Sequence, residues 1–199
     1  VTDQPSDSDE RSPDHDPAGA SSTREHRRAA DALAARSQPV RAAVITVSDT
    51  RTIETDEGGA LIVRRLTSEG HDVVSRAITR DDPAGIDALL VAALKRGDTD
   101  VIITTGGTGI SRRDTTIEVV RRHLTTELDG FGELFRMISY EAIGPAAMLS
   151  RAAAGLAVYD RDRPGTFLFA LPGSVHAVAT ALDRLILPEL AHLIFESRR

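Results

Sequence analysis

The stretch Ile102-Ile103-Thr104-Thr105-Gly106-Gly107-Thr108-Gly109-Ile110-Ser111-Arg112-Arg113-Asp114 runs from an apolar strand into a glycine loop and sets a carboxylate five residues past the last glycine. Glycines lack Cβ, so successive backbone N–H groups can curl around an anion. The hydroxyls of Thr104, Thr105, Thr108 and Ser111 are candidate donors to the same concavity. Asp114 does not belong in such a cradle. A carboxylate beside phosphates repels them unless it holds a divalent cation or accepts a donor from the ligand, so its position points to metal-assisted phosphate chemistry. The plainer reading is a tight strand-to-helix turn in which Asp114 is a cap.

Other polar groups could join that loop. Ser48 and Asp49 follow the apolar run Val44 to Val47, and Asp81 precedes the Asp82-Pro83 pair. Asp82 with Pro83 is a good helix start, which leaves Asp81 without a structural task. Pro172-Gly173-Ser174 turns from a strand into a helix, where free N–H groups and the positive dipole end can seat an anion or serve only as a cap. His176 is one turn into that helix, where a lone histidine is more often filler than function. Arg112 and Arg113 flank the glycine loop and either clamp phosphate or form a solvated pair.

Composition removes several alternatives. The 199 residues contain no cysteine, which excludes disulfides, thiolate metal sites and a persulfide route. Lys95 is the only lysine, so there is no phosphate-loop Gly-Lys pair, and cationic help must come from arginine, metal or backbone. The other histidines lack metal-ligand spacing. The formal charge of −6 and the lack of a long basic run disfavour nucleic acid. No apolar stretch is long enough for a membrane span and the N-terminus is acidic rather than signal-like, so a cytoplasmic location is expected.

The elements that must position these residues alternate. Residues 1–38 carry eight acidic and five basic side chains and only Leu33 as a large aliphatic after Val1, and read as a disordered acidic tail with room for a short helix around Arg24 to Arg36. Residues 39–199 read as a single domain. Strands are predicted at Val44 to Val47, Asp72 to Ile78, Val101 to Thr104 and Thr166 to Leu171. Helices are predicted at Gly59 to Glu69, from Asp82 to Gly97, from the capping-box spacing at Thr115 to about Leu124, at Phe131 to Ile143, at Ala146 to Ala154, and after Ser174, with Pro188 opening a last segment. Such alternation implies right-handed crossovers and an α/β fold of three layers, a mostly parallel sheet with helices on both faces. In such sheets ligands bind beyond the carboxyl ends of the strands, which is where all the polar groups above fall. The helix containing Phe131, Leu134, Phe135, Met137, Ile138 and Tyr140 is apolar on more than one side, which suggests self-association.

With these residues in hand, the chain from about Val40 to Glu196 strongly resembles the molybdenum cofactor biosynthesis family, which includes molybdopterin adenylyltransferases and the protein B type. The resemblance rests on the strand with Thr-Gly-Gly-Thr-Gly and its distal Asp114, on Val47-Ser48-Asp49, Asp56-Glu57-Gly58, Asp81, Gly130-Phe131-Gly132-Glu133, Ser150-Arg151 and Leu171-Pro172-Gly173-Ser174. The stretch Phe131 to Leu156 looks closer to protein B. The resemblance implies a homotrimer or hexamer that binds molybdopterin and, with ATP and Mg²⁺, transfers AMP to the terminal phosphate of the pterin, releasing pyrophosphate. A hand-over to a molybdenum-inserting protein would follow. It also implies Asp81 and Asp114 as the catalytic, metal-holding pair, with Ser48, Asp49, Thr105, Gly106, Gly107, Thr108, Gly109, Ser111, Gly173 and Ser174 contacting ligand. Val175-His176 stands where family members often carry a lysine, which keeps a non-catalytic carrier as the alternative. The retained Asp81 favours activity.

Overall fold

The computed structural model describes residues 38–198. The expected tail and its short helix therefore lie outside the described residues, save for Gln38. Six strands form one sheet: β1 (Arg41–Val47), β2 (Asp72–Thr79), β3 (Val101–Thr105), β4 (Thr126–Glu127), β5 (Ala153–Ala157) and β6 (Thr166–Leu171), in the order β2-β1-β3-β6-β5-β4. The first four in that order are parallel, whereas β5 pairs antiparallel with β6 and β4 antiparallel with β5. The chain passes from β2, on one side of β1, to β3 on the other, so the strand order reverses beside β1 and opens a crevice at its carboxyl end.

Alternation along β1 explains the layers. Ala42 and Val44 face a core built with α1 (Glu57–Ser68), α4 (Asp129–Ile143), α5 (Val175–Ala181) and α6 (Leu187–Ser197), whereas Ala43, Ile45 and Val47 face α2 (Pro83–Arg96) and α3 (Thr116–His123). Strands buried on both faces are mostly apolar, as β3 and β6 are apart from their threonines. Phe131 of α4 meets Phe169 of β6 edge-on, with ring centroids 5.2 Å apart, which anchors α4 to the sheet.

Most predicted elements are present, with ends shifted by up to three residues, the largest shift being at the start of β1. Asp82 caps α2 through Gly85 N at 2.8 Å, Pro83 follows, and Gly97 closes the helix in the left-handed region at φ 65°. The helix expected over Ala146 to Ala154 is not formed. Gly144–Leu149 is a 3₁₀ turn opened by Pro145, and Ala153–Ala157 is strand β5. Alanine favours helix locally, but here the run is nearly all buried and pairs with β6, so tertiary pairing overrides propensity. The two-residue edge strand β4 had no pattern to announce it. The capping box at Thr115 is also unmade: Thr115 precedes α3, but its hydroxyl bonds Asp81 at 3.3 Å. α5 runs through a π-turn at Leu182–Ile186 into α6, so the two predicted terminal segments are continuous.

Candidate active site

A cleft of about 480 Å³ opens at the carboxyl ends of β1, β3 and β6. Its wall is largely backbone, supplied by Gly106, Gly107, Thr108 and Gly109 after β3, by Pro172 and Gly173 after β6, and by Gly58 at the start of α1. Gly106 and Gly107 have φ of 95° and 61°, a region in which a side chain is strained, so glycine is required at both. Gly106 N donates to Leu171 O at 3.0 Å, and a Cβ on Gly173 would lie 3.2 Å from the Gly106 Cα, so the two glycine turns touch backbone to backbone.

Two carboxylates lie against this loop from outside the cradle. Asp114 Oδ2 accepts from Ser111 N at 2.8 Å, and a Cβ on Gly109 would come within 2.6 Å of the same oxygen. Asp114 is thus both a loop cap and a cleft wall. Asp81 reaches the neighbouring glycine: its Oδ1 accepts from Thr115 N and Oγ1 at 3.4 and 3.3 Å, and its Oδ2 lies 2.6 Å from the Cβ position of Gly107. Partial burial raises the Asp81 carboxyl above its ordinary value, and the charges of Asp114 and Asp49 push it in the same direction. The structure therefore brings three carboxylates from three loops to one place. Asp49 also accepts from Asp81 N at 3.4 Å and is approached by Arg113 at 4.0 Å.

The remaining residues singled out in the sequence divide. Ser48, Thr105, Thr108 and Gly173 line the cleft, while Asp49, Asp81, Ser111 and Ser174 are beside or behind it. Several hydroxyls are not free donors. Thr104 is fully buried and donates to Phe169 O at 3.2 Å, and Thr105 donates to Pro172 O at 3.0 Å. Ser48 Oγ accepts from Arg51 N at 3.1 Å and Ser174 Oγ from Ala177 N at 3.2 Å, so these two act as acceptors in the fold and each keeps its O–H to donate. Arg112 and Arg113 do not line the cleft, and the Arg113 side chain is 83% exposed. His176 is exposed and outside it as well.

The cationic groups that do line the cleft are Arg51 and Arg151. Arg51 lies in the loop after β1 that also carries Ser48 and Asp49, and Arg151 belongs to the Ser150-Arg151 match, but neither is singled out in the sequence as a cation of the site. Arg151 precedes β5, the strand mistaken for helix. Its Nη1 donates to Gly109 O at 2.9 Å and its Nη2 pairs with Glu118, so it buttresses the glycine loop. Asp56, 4% exposed, lies in the cleft floor as the cap of α1.

Among the described residues, no three His, Cys, Asp or Glu side chains are grouped to hold a metal ion by themselves. Paired carboxylates instead suit a hard cation that keeps its waters and takes further oxygens from ligand phosphates, which is the habit of Mg²⁺. Asp81, with its charge crowded by Asp114, fits that role.

The glycine loop and the carboxylates stand at the topological switch point of a three-layer α/β domain, where open parallel sheets bind their ligands. The chain belongs to the molybdenum cofactor biosynthesis family: residues 43–192 match the family model described as "Probable molybdopterin binding domain". It is 50% identical over 161 residues to molybdenum cofactor biosynthesis protein B of Bacillus anthracis, covering 80% of this chain and 92% of the relative, and 45% identical to that of Bacillus subtilis, covering 80% and 91%. A crystal structure of a molybdenum cofactor biosynthesis protein B superposes with a TM-score of 0.76 at 48% identity, over 81% of this chain and 98% of that one. The tungsten cofactor synthesizing protein MoaB from Pyrococcus furiosus does so at 0.74 and 39%, over 82% and 99%. No helix among the described residues is long and apolar enough to cross a membrane.

Proposed function

We propose that the chain is a molybdopterin adenylyltransferase: with ATP it transfers AMP to the terminal phosphate of molybdopterin and releases pyrophosphate. The observation that carries this reading is that Asp81 and Asp114 both abut the glycine loop, Asp114 as part of the cleft wall and Asp81 behind it. An oxygen of the pterin phosphate attacks the α-phosphorus of ATP, the new P–O bond forms as the α–β bridge breaks, and no protein nucleophile is required. The chain's part is to align the two phosphates and offset their charge. Backbone amides from Gly107 to Gly109 and near Gly173 grip oxygens, Arg51 and Arg151 add positive charge, and Asp81 with Asp114 would hold Mg²⁺, which supplies charge neutralisation when bound.

A carrier that binds the pterin without turnover is the second reading. It is favoured by the thin cationic lining, since Arg151 is already committed to Gly109 and Glu118 and the exposed His176 does not reach the cleft. Incubation with molybdopterin, ATP and Mg²⁺ separates the two. Stoichiometric pyrophosphate and an adenylylated pterin support the transferase, and tight pterin binding with ATP left intact supports the carrier.

The same reading places the reaction in the cytoplasm, where ATP is at hand, followed by hand-over to a molybdenum-inserting protein. It also gives a homotrimer or hexamer. Support for assembly comes from α4, where Leu134, Met137, Tyr140 and Ile143 form an exposed apolar stripe that continues into Met148 and Leu149.

A further inference from the structure

The cleft floor contains a feature that an anion site has reason to avoid. Asp56 is 4% exposed and negatively charged, and the lining around it carries two arginines against three acids, Asp56, Glu57 and Asp114. A helix cap alone does not need that charge, since serine or asparagine caps as well. The carboxylate is instead built into a network. Its Oδ1 accepts from Gly59 N at 2.9 Å, and its Oδ2 accepts from Thr46 Oγ1 at 2.7 Å and from Arg76 Nη2 at 2.9 Å.

Arg76 belongs to β2, opposite Val44 of β1, and reaches across to the loop between β1 and α1. The same Nη2 also donates to Ile53 O at 3.2 Å and Asp56 O at 2.9 Å, and the side chain is 21% exposed. Among the described residues, Arg76 is the ion-pair partner of Asp56. The loop it ties down is the one that delivers Arg51, Glu57 and Gly58 to the cleft.

We infer that Arg76 is a positioning residue of the cleft: from behind the wall it neutralises Asp56 and pins the β1–α1 loop, so that a phosphate-bearing ligand meets a floor without excess negative charge. The inference rests on the reading of the cleft as an ATP site. Without Arg76 the loop carbonyl of Ile53 loses that donor, the carbonyl of Asp56 keeps Ala60 N at 3.1 Å, and the Asp56 carboxylate remains without its ion-pair partner, facing the incoming phosphates.

The test uses the full chain and ATP with Mg²⁺ as the probe, followed by titration calorimetry. Arg76→Met is expected to weaken ATP binding about tenfold, Arg76→Lys to recover part of it, and Arg76→Met combined with Asp56→Asn to return to within about threefold of the native value, because the repelling charge is gone. Circular dichroism and urea unfolding check that each variant folds. Native affinity in Arg76→Met, or a double variant no better than the single one, overturns the inference. If the native chain binds no ATP, the underlying reading fails instead, and hydrogen exchange at Gly59 N decides: faster exchange in Arg76→Met, slowed again in the double variant, upholds the positioning role, and unchanged exchange ends it.

Discussion

Asp81 lies directly against Gly107, its Oδ2 2.6 Å from where a side chain on that glycine would begin. The glycine's φ of 61° makes the position intolerant on two counts. Gly107→Ala is expected to lose about 1–2 kcal/mol from the left-handed backbone alone, with a further loss from crowding Asp81 and the buried Thr116 hydroxyl. Urea unfolding measures it, and a variant as stable as the native chain would show that the loop is free to rearrange.

The environment of Asp81 sets a sign for pH dependence. Its carboxyl is raised, so the native state favours the protonated form. That contribution is fully present below the ordinary carboxylate value and is lost as pH rises from there through the raised folded value, which leaves ionised Asp81 a liability at neutral pH. Asp81→Asn should therefore melt higher than the native chain at neutral pH, while turnover falls by about a hundredfold or more if Asp81 holds a cation at the phosphates. Higher stability with full activity would remove Asp81 from the chemistry.

Asp56 behaves in the opposite sense. Burial works to raise its carboxyl, but hydrogen bonds from Gly59, Thr46 and Arg76, with the charge of Arg76, hold it below the ordinary value. The stability it contributes is present above the ordinary carboxylate range and disappears as pH falls through the lowered folded value. Unfolding free energies measured from neutral pH down to about pH 3 should decline more steeply for the native chain than for Asp56→Asn. Parallel curves would argue against the network.

Arg151 ties the end of the glycine loop to α3 through Gly109 O and Glu118. Arg151→Ala should raise KM for the phosphate-bearing substrates by about tenfold with a smaller change in kcat, and lysine should rescue poorly because it lacks the planar fork that reaches two acceptors. Equal kinetics for the lysine variant would reduce Arg151 to a point charge.

The exposed stripe on α4 bears on assembly. Met137 is 59% exposed with Leu134 and Tyr140 beside it. Met137→Asp is expected to shift the sedimenting species to lower mass while leaving far-UV dichroism unchanged. An unaltered mass would place the interface elsewhere.

The parallel half of the fold could be read from residues alone, because buried strands, capped helices and glycine turns each leave a local mark, as at Asp82-Pro83 and Gly97. The antiparallel annex could not. Ala153 to Ala157 has helical propensity and no alternation, and only its pairing with β6 makes it a strand. Ser150-Arg151 was visible as a family match, but the place of Arg151 in the cleft depends on that annex. Arg76 was hidden for another reason, since its partner Asp56 is 20 residues away on a different element. The glycine loop and Asp114 stand out by their spacing, Asp81 because Asp82 takes the cap beside it, and their pairing is implied only by the family resemblance. The unexpected finding is that the threonine hydroxyls at positions 104 and 105 are spent inside the fold.

The backbone contact between Gly106 and Gly173 leaves no gap for either turn to slide past the other. One jaw of the mouth is therefore a single stiff piece, welded to the centre of the sheet. A side chain added at Gly173 would have to prise that piece apart, so the mouth could not keep its shape.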